Sequence, residues 1–332
     1  MSTAKQPARH SSEVLRQYQS LPLTAKVKMA QDRIRGWYER WDGQVYAAFS
    51  GGKDSTVLLH LVRSMYPEVP AVFHNTGLEF PELCSFVKLF DNVVWSRPEK
   101  TFRRVIEEDG YPIVSKRIAD EISKIRRLGP ESKTGRYHLT GYTSAGKFQE
   151  MAILPQKWQK LLDAPFLISP KCCDRLKKAP SHAYEQHSSR KAYTGEMAED
   201  STQRKAVWQQ YGCNQIGGHS VSRPMSAWLE TDVWEYIRAH GLPVASVYDM
   251  GYRRTGCMFC MFGVHLEQYP NRFQLMASTH PKQWAYCMKP WEAGGLGLRR
   301  VLDYIGVSPD PIPETRPVRY AIDGLTGRRV IL

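Results

Sequence analysis

One short stretch near the N-terminus constrains the fold more than any other part of the chain. An apolar run, Val-Tyr-Ala-Ala-Phe at residues 45–49, ends in Ser-Gly-Gly-Lys-Asp-Ser at residues 50–55. Apolar residues then recur at helical spacing from Val57 to Met65, which predicts a strand, a tight turn and a helix. Glycines let a backbone approach a ligand closely, and a helix N-terminus that carries a lysine and hydroxyls suits an anion. The turn is therefore expected to bind phosphate.

The turn resembles a known phosphate-binding motif. It is not the Walker motif, which needs four residues between its glycines and a following Lys-Ser/Thr. Residues 50–55 instead match the PP-loop of the N-type ATP pyrophosphatases. Those enzymes resemble one another in splitting ATP between its α- and β-phosphates and in activating a substrate as its adenylate. The alternative is a surface turn that happens to contain two glycines.

Composition and charge limit the class of protein. The 332 residues are 42% apolar and 24% charged, which is typical of a soluble globular chain long enough for one large domain or two modest ones. The polar start and the absence of a long apolar run predict a cytoplasmic protein with no membrane partner. The net charge of +13 suits a polyanion such as a nucleic acid, and basic clusters lie at residues 97–104, 116–127 and 175–178.

Strands and helices alternate through the first hundred residues. Short strands are predicted at residues 71–74 and 93–95, and a turn at residues 75–82 opens a further helix. This alternation predicts an α/β fold with a doubly wound parallel sheet. Because ligands bind beyond the carboxyl ends of such strands, residues 50–55 and 75–82 are expected to face one nucleotide.

The domain organisation is predicted as three parts. Residues 1–40 form a lead-in whose first twenty residues are flexible and whose helix spans residues 24–41. Residues 41–240 form the nucleotide-binding domain, and residues 241–332 a smaller cysteine-containing helical region. Within the domain, residues 129–147 are expected to be a mobile loop near the site or a solvated insertion. A later helix at residues 232–240 has Thr231 as its expected N-cap.

Four of the seven cysteines form two close pairs. Cys172 and Cys173 are adjacent, and Cys257 and Cys260 follow 84 residues after Cys173 as Cys-Met-Phe-Cys. A Cys-x-x-Cys pair alone is compatible with zinc, redox chemistry or iron–sulfur ligation. Adjacent cysteines are awkward for zinc, whereas four thiolates can hold a [4Fe-4S] cluster. A [4Fe-4S] cluster is therefore the first hypothesis and Zn²⁺ the second, and Cys84, Cys213 and Cys287 have no assigned role.

Together these motifs resemble the phosphoadenosine phosphosulfate reductase-like family, within the adenine-nucleotide α-hydrolase superfamily. The resemblance extends from about residue 27 to 310. It rests on residues 50–55, 75–82, 172–173, 195–204, 222–225 and 255–265. It implies a PP-loop fold with ATP at the loop and a cluster on the four cysteines, which with Lys177 resemble the cysteine motifs of the iron–sulfur adenylylsulfate reductases.

Two departures separate the chain from the reductases of that family. The reductases share a C-terminal Glu-Cys-Gly-x-His segment, whereas no cysteine follows Cys287 here. Without that thiolate the usual S-sulfocysteine intermediate has no nucleophile. The reductases also depart from the intact Ser-Gly-Gly-x-Asp-Ser loop that this chain retains. Both differences favour cleavage of ATP over reduction of a sulfonucleotide.

The closest resemblance in pattern is to iron–sulfur PP-loop proteins of DNA phosphorothioation and tRNA thiolation. It implies ATP with Mg²⁺, DNA or tRNA as acceptor, and a sulfur donor such as a cysteine desulfurase. The alternatives are a sulfonucleotide reductase and a nucleotide-binding subunit without turnover. The residues expected to be catalytic are Lys53, Asp54 and Ser55. The expected nucleotide ligands are Ser50, Gly51, Gly52, Lys53, Asp54, Ser55, Thr76, Gly77, Arg204 and Arg223, and the expected metal ligands are Cys172, Cys173, Cys257 and Cys260.

Overall fold

A six-stranded sheet forms the centre of the computed structural model, which describes residues 10–311, 320–322 and 329–331. The strand order is β3-β2-β1-β5-β7-β6, and every neighbouring pair is parallel except β6 and β7. A parallel pair β4–β8 and an antiparallel pair β9–β10 lie outside this sheet. The strands are β1 (Val45–Ala48), β2 (Ala71–His74), β3 (Val93–Ser96), β4 (Ile113–Val114), β5 (Lys191–Tyr193), β6 (Asn214–Gln215), β7 (Val221–Ser222), β8 (Met261–Phe262), β9 (Tyr320–Ile322) and β10 (Arg329–Ile331).

Helices connect the strands and continue after the sheet is complete. A π-helical turn, Asp174–Lys178, leads directly into one of them. The α-helices of the described residues are α1 (Ser12–Gln19), α2 (Leu23–Arg40), α3 (Lys53–Arg63), α4 (Pro81–Val87), α5 (Phe102–Glu108), α6 (Lys116–Leu128), α7 (Lys133–Thr140), α8 (Gln156–Gln159), α9 (Ala179–Ser188), α10 (Thr202–Tyr211), α11 (Glu230–Ala239), α12 (Arg272–Thr279), α13 (Pro281–Met288) and α14 (Leu298–Tyr304).

Strand β1 is buried on both faces, as expected for the middle of a parallel sheet. Val45 and Ala47 belong to the main hydrophobic core, whereas Tyr46 belongs to a second cluster that also contains Ala192. The chain runs from β1 to β2 and β3 on one side and later to β5 on the other, so the strand order reverses at β1. Such a reversal opens a crevice at the carboxyl ends of the strands. The predicted doubly wound α/β fold is confirmed.

A short backbone segment around β4 connects the two cysteine-containing regions. Tyr111 forms a backbone bridge with Ile168, which lies just before Cys172. The Tyr111 amide donates to the Leu167 carbonyl at 2.8 Å. On the other side β4 pairs with β8, which begins directly after Cys260. One isolated backbone bridge and one two-residue ladder therefore hold both cysteine pairs against the same stretch of chain.

Two local predictions were wrong, and a third was wrong in part. The first twenty residues include α1, whose Leu15 packs with Trp208, although residues 1–9 lie outside the described residues. For residues 129–147 only the loop alternative is wrong: they contain α7, because Ser132 caps its N-terminus through the Gly135 amide and Gly141 ends it at positive φ. All of these residues except Gly135 and Gly141 are at least partly exposed, which agrees with the alternative of a solvated insertion. Helix α11 begins earlier than predicted, and its N-cap is Leu229 rather than Thr231.

None of the helices in the described ranges combines the length and apolar character needed to cross a membrane.

Candidate functional site

The glycine turn lies between β1 and α3 and is held by its own side chains. The Ser55 hydroxyl donates to the Gly52 carbonyl at 2.8 Å and accepts from the Ser50 amide at 3.2 Å. Gly51 has φ of +75°, a conformation that other residues rarely adopt. The Thr56 hydroxyl also donates to the Gly52 carbonyl, at 3.1 Å. The turn thus leaves the first backbone amides of α3 at its open side, the arrangement that binds anions.

Two residues from a distant part of the chain cover this open side. The Lys53 amide donates to the Tyr248 hydroxyl at 2.8 Å, and that hydroxyl lies 3.2 Å from the Thr255 hydroxyl. A Cβ atom on Gly52 would lie 2.6 Å from the same Thr255 oxygen. Gly52 is therefore required for the close approach of the segment that contains Thr255.

Opposite charges surround Lys53 at the base of the turn. Its ammonium lies 3.0 Å from the Asp54 carboxylate and 3.3 Å from Glu230. Burial alone would lower the pKa of Lys53, but the two carboxylates outweigh it and raise that pKa above its usual value. For Asp54, burial exceeds the attraction of Lys53 and raises the pKa of the carboxyl. Lys53 is thus a buried cation beside the N-terminus of α3.

The turn faces a cavity of about 920 Å³. This volume falls within the range of small-molecule sites, roughly 300–1,000 Å³. Of the residues predicted to bind the nucleotide, those that line it are Ser50, Gly52, Lys53, Asp54, Ser55, Arg204 and Arg223.

Gly51, Thr76 and Gly77 do not line this cavity. The Thr76 amide and hydroxyl both donate to the Glu79 carboxylate, at 2.8 and 2.9 Å. Glu79, which these bonds hold in place, lines the cavity instead. Direct contact of Thr76 or Gly77 with a nucleotide stays a prediction.

The two predicted arginines share a carboxylate partner. Arg223 donates to Glu196 at 2.8 Å, and Arg204 lies 3.7 Å from the same residue and bonds Asp200. Arg223 directly follows β7 and Arg204 lies in α10, and both line the cavity at the sheet edge that also holds the glycine turn. Both can therefore reach an anion in the cavity, but their charges are already neutralised in part by these carboxylates.

The structure brings the four predicted metal ligands together. Burial raises the pKa of the Cys172 thiol, and the neighbouring Cys257, Cys173 and Cys260 add to the rise. Burial also raises the pKa of Cys257 to about 11, against the attraction of Lys177. No group of three or more His, Cys, Asp or Glu side chains in the described residues is arranged to hold a single metal ion. The thiols therefore form a loose group, here called the cysteine group, rather than a tight single-ion site.

Lys177 connects the cysteine group to the cavity. Its ammonium interacts most strongly with the Cys257 thiol, and this electrostatic attraction raises the pKa of Lys177 despite burial. The same side chain also interacts with Glu79 and lines the cavity with the glycine turn. On the far side of the group, Arg272 donates to the Cys260 carbonyl at 3.0 Å. Two cations thus lie beside the four thiols.

Comparison with known proteins identifies the family. Residues 44–262 match the phosphoadenosine phosphosulfate reductase domain, a span that includes both the glycine turn and the cysteine group. The chain belongs to this family. The family predicted from the motifs is thereby confirmed.

Known relatives are similar over part of their length. An uncharacterised protein of Methanocaldococcus jannaschii is 26% identical over 70% of this chain and 46% of its own. Sulfate adenylyltransferase subunit 2 of a Mycobacterium species (strain KMS) is 27% identical over 67% of this chain and 62% of its own. The chain thus spans about half to two thirds of these relatives. A phosphoadenylyl-sulfate reductase of Candida auris, solved as a phosphate complex, matches 76% of this chain and 97% of its own with 14% identity and a TM-score of 0.41.

Several residues in this family member were missed from sequence. His74 ends β2 and lines the cavity, and its Nε2 is buried without a hydrogen-bond partner among the described residues. Burial and the nearby Lys177 lower the pKa of His74 to about 4. Tyr248 and Thr255 reach the turn from about 200 residues away. The position of His74 at a strand end was the one available signal, whereas nothing in the sequence pointed to Tyr248.

Proposed function

We propose that this protein is a PP-loop ATP pyrophosphatase that adenylates an oxygen of a nucleic acid for sulfur transfer. The observation that carries the proposal is Lys177, which lines the cavity of the glycine turn and whose ammonium lies within electrostatic range of the Cys257 thiol. Only the Lys177 side chain would therefore separate a nucleotide in the cavity from a group bound to the thiols, so both could act on the same substrate. DNA phosphorothioation and tRNA thiolation are the two reactions of this kind that we consider.

The relatives support the first half-reaction. A sulfate adenylyltransferase, by its name, transfers an adenylyl group to sulfate, which is an oxyanion. For this chain we propose the same transfer to an acceptor oxygen. The oxygen attacks the α-phosphorus of ATP, the bond to the β-phosphate breaks, and Mg²⁺-pyrophosphate leaves. The acceptor oxygen is then bonded to AMP, which makes it a good leaving group.

The residues of the turn have separate roles in this step. The amides at the start of α3 and the Lys53 ammonium bind the departing β- and γ-phosphates, as in other glycine-rich phosphate sites. Asp54, next to Lys53 at 3.0 Å, positions the lysine or Mg²⁺. Tyr248 and Thr255 exchange their contacts with the turn for contacts with the phosphates, because they occupy its amide-facing side in the free protein.

The second half-reaction replaces the activated oxygen by sulfur. The terminal sulfur of a persulfide on a donor such as a cysteine desulfurase attacks the activated centre, and AMP departs with the oxygen. A free thiol then attacks the donor sulfur, which breaks the S–S bond, leaves the transferred sulfur on the product and converts the donor cysteine and the thiol into a disulfide. Cys172, Cys173, Cys257 and Cys260 would ligate a [4Fe-4S] cluster, which would supply electron-transfer chemistry beside this reaction. Lys177 and Arg272 supply the positive charge that four thiolates need in a buried place. Zn²⁺ stays the alternative occupant.

Product analysis tests this proposal directly. The anaerobically purified protein is incubated with ATP, Mg²⁺ and either single-stranded DNA or tRNA, and the nucleotides are separated by chromatography. We expect AMP and pyrophosphate, with release that depends on the polymer. ADP and phosphate as the products, or no product with any acceptor, would refute α–β cleavage and leave a nucleotide-binding subunit.

The family assignment favours one second candidate, a sulfonucleotide reductase. That reaction needs a reactive thiolate outside the cysteine group. Cys287 is fully buried, which raises its pKa to about 12, and Cys213 accepts a hydrogen bond from Ser226 at 3.2 Å. Neither thiol lines the cavity. Release of sulfite from adenylylsulfate or its 3′-phosphorylated form, with thioredoxin as reductant, would establish this alternative.

A further inference from the structure

A second cavity, of about 600 Å³, lies next to the first. Arg254 and Gly256 line both cavities, and Cys257 lines the second. The segment that covers the glycine turn therefore also forms the boundary between the two spaces. A molecule in the second cavity would lie beside both the activating nucleotide and the cysteine group.

Arg254 differs from every other lysine and arginine that lines the first cavity. Lys53, Lys177, Arg204 and Arg223 are paired as described above, and Lys178 lies 2.7 Å from Asp174. Arg254 makes no hydrogen bond or ion pair with any residue in the described ranges, and it is exposed. An unpaired guanidinium at the boundary of two cavities is suited to bind an oxyanion in bidentate fashion.

The second cavity combines positive charge with aromatic surface. Its charged lining consists of three arginines and one acid, Glu267, which bonds Arg272 at 2.8 Å. Arg254 adds a positive charge that has no partner among the described residues. Its aromatic side chains include Phe80, Tyr252 and Tyr269. Cations beside aromatic rings are the usual platform for single-stranded nucleic acid, in which bases stack and phosphates pair.

We infer that the second cavity is the acceptor site and takes one nucleotide of a single-stranded nucleic acid, whose phosphate is bound by Arg254. The inference rests on the proposed function for the role of the acceptor. A sulfate ion would fill only a small part of this volume, whereas a base and sugar match it in size and in aromatic character. The bound phosphate lies between the glycine turn and Cys257, where both half-reactions need it.

Gly256 offers a way to separate the two cavities. A Cβ atom at this position would meet no heavy atom within 4 Å, and its φ lies outside the left-handed region. A larger side chain would therefore project into open space at the boundary without disturbing the fold. Gly36 on α2 is equally open and has a permitted φ, which makes it a matched control.

The test measures binding, so it does not depend on turnover. A fluorescein-labelled single-stranded dodecamer of DNA, and one of RNA, are titrated with the full-length protein by fluorescence anisotropy at two salt concentrations. For Arg254→Gln we expect about a tenfold loss of affinity, the size of one charge-assisted contact, and a smaller salt dependence. For Gly256→Leu we expect a similar loss. ATP affinity is titrated in parallel: a loss larger for the oligonucleotides than for ATP places the effect at the second cavity, whereas an equal loss for both would refute that placement.

Controls and contrary outcomes are built into the same titration. Gly36→Leu and Arg33→Gln, both on the exposed face of α2, should bind the oligonucleotides as the parent does. Unchanged oligonucleotide affinity in both Arg254→Gln and Gly256→Leu would overturn the inference. So would binding of inorganic sulfate that depends on Arg254 without binding of either oligonucleotide. Arg254-dependent binding without pyrophosphate release would refute the proposed activation step but support this site.

Discussion

The glycine turn and the cysteine group are built in opposite ways. The turn is one contiguous stretch, and serine hydroxyls within it satisfy its own backbone. The cysteine group joins two segments 84 residues apart, and its burial raises the pKa of three of its four thiols. The turn is therefore complete before a ligand arrives, whereas the thiols are costly to ionise until a cationic group lies between them.

The largest effect is expected when the charge of Lys53 is removed from the turn while the backbone of the turn is left unchanged. Lys53→Ala should lower ATP-dependent pyrophosphate release by about 10²- to 10³-fold, because one preorganised charge at a developing anion has roughly that value. Pyrophosphate is measured by a coupled assay, and a melting curve reports the separate effect of leaving Asp54 without its partner. Lys28→Ala, on the exposed side of α2, is the matched control. Undiminished release from folded Lys53→Ala protein would exclude the lysine from the reaction.

The second effect concerns the cysteine group alone. Cys172→Ser should lose most of the iron and sulfide that the parent retains after anaerobic purification, since a serine hydroxyl is a poor substitute for a thiolate ligand. Iron and acid-labile sulfide are measured chemically, with zinc measured in the same samples. Cys84→Ser, a half-buried cysteine outside the group, should retain the parental content. Full iron in Cys172→Ser protein would remove Cys172 from the ligand set, and stoichiometric zinc would favour the alternative metal.

The same contrast explains what the sequence could predict. The turn and strands β1 to β3 are local patterns of apolar residues and glycines, and their predicted positions agree with the structure. The contacts of Tyr248 and Thr255 with the turn join residues about 200 positions apart, and no local pattern encodes them. The convergence of the cysteines depends on β4 and β8, which have two residues each and are too short to show periodicity.

Other errors came from reading composition instead of caps. Residues 129–147 are rich in Gly, Ser and Lys, which favoured a loop over a helix. Ser132 before α7 and Gly141 after it are ordinary capping residues, and they were visible in the sequence. The sequence identified candidate phosphate-binding arginines but could not show which arginines have no ion-pair partner. Arg204 and Arg223 stood in family motifs, whereas Arg254 is distinguished by having no partner within the described part of the chain, which only the fold reveals.

A smaller effect, on the pH dependence of stability, is expected at His74, which lines the cavity near Lys177. Burial holds the pKa of His74 at about 4, below the 6.5 of an unfolded chain. As the pH falls from 6.5 to 4 the unfolded chain binds a proton that the folded protein does not. The free energy of unfolding should therefore decrease by roughly 2 kcal/mol over this window, with no contribution above pH 7.

The measurement for His74 is urea unfolding at pH 7 and pH 4.5. His74→Gln should lose part of the decrease that the parent undergoes between the two pH values. His187→Gln, which alters an exposed histidine at the end of α9, should retain all of it. An identical pH dependence in the parent and His74→Gln would mean that the imidazole is protonated in the folded protein.

The smallest effect is expected on helix α6, the basic stretch that the sequence offered as a nucleic-acid surface. Lys124 lies 2.5 Å from Asp120, and Arg126 donates to the Phe166 carbonyl at 2.7 Å, so both cations are engaged within the chain. An exposed ion pair contributes roughly 0–1 kcal/mol, and Lys124→Ala should alter oligonucleotide affinity by less than about twofold. Fluorescence anisotropy with the same dodecamers measures it. A loss as large as that expected for Arg254→Gln would show that the nucleic acid binds to α6 and not at the cavity boundary. The salt-dependent contacts would then lie on the helix rather than beside the glycine turn.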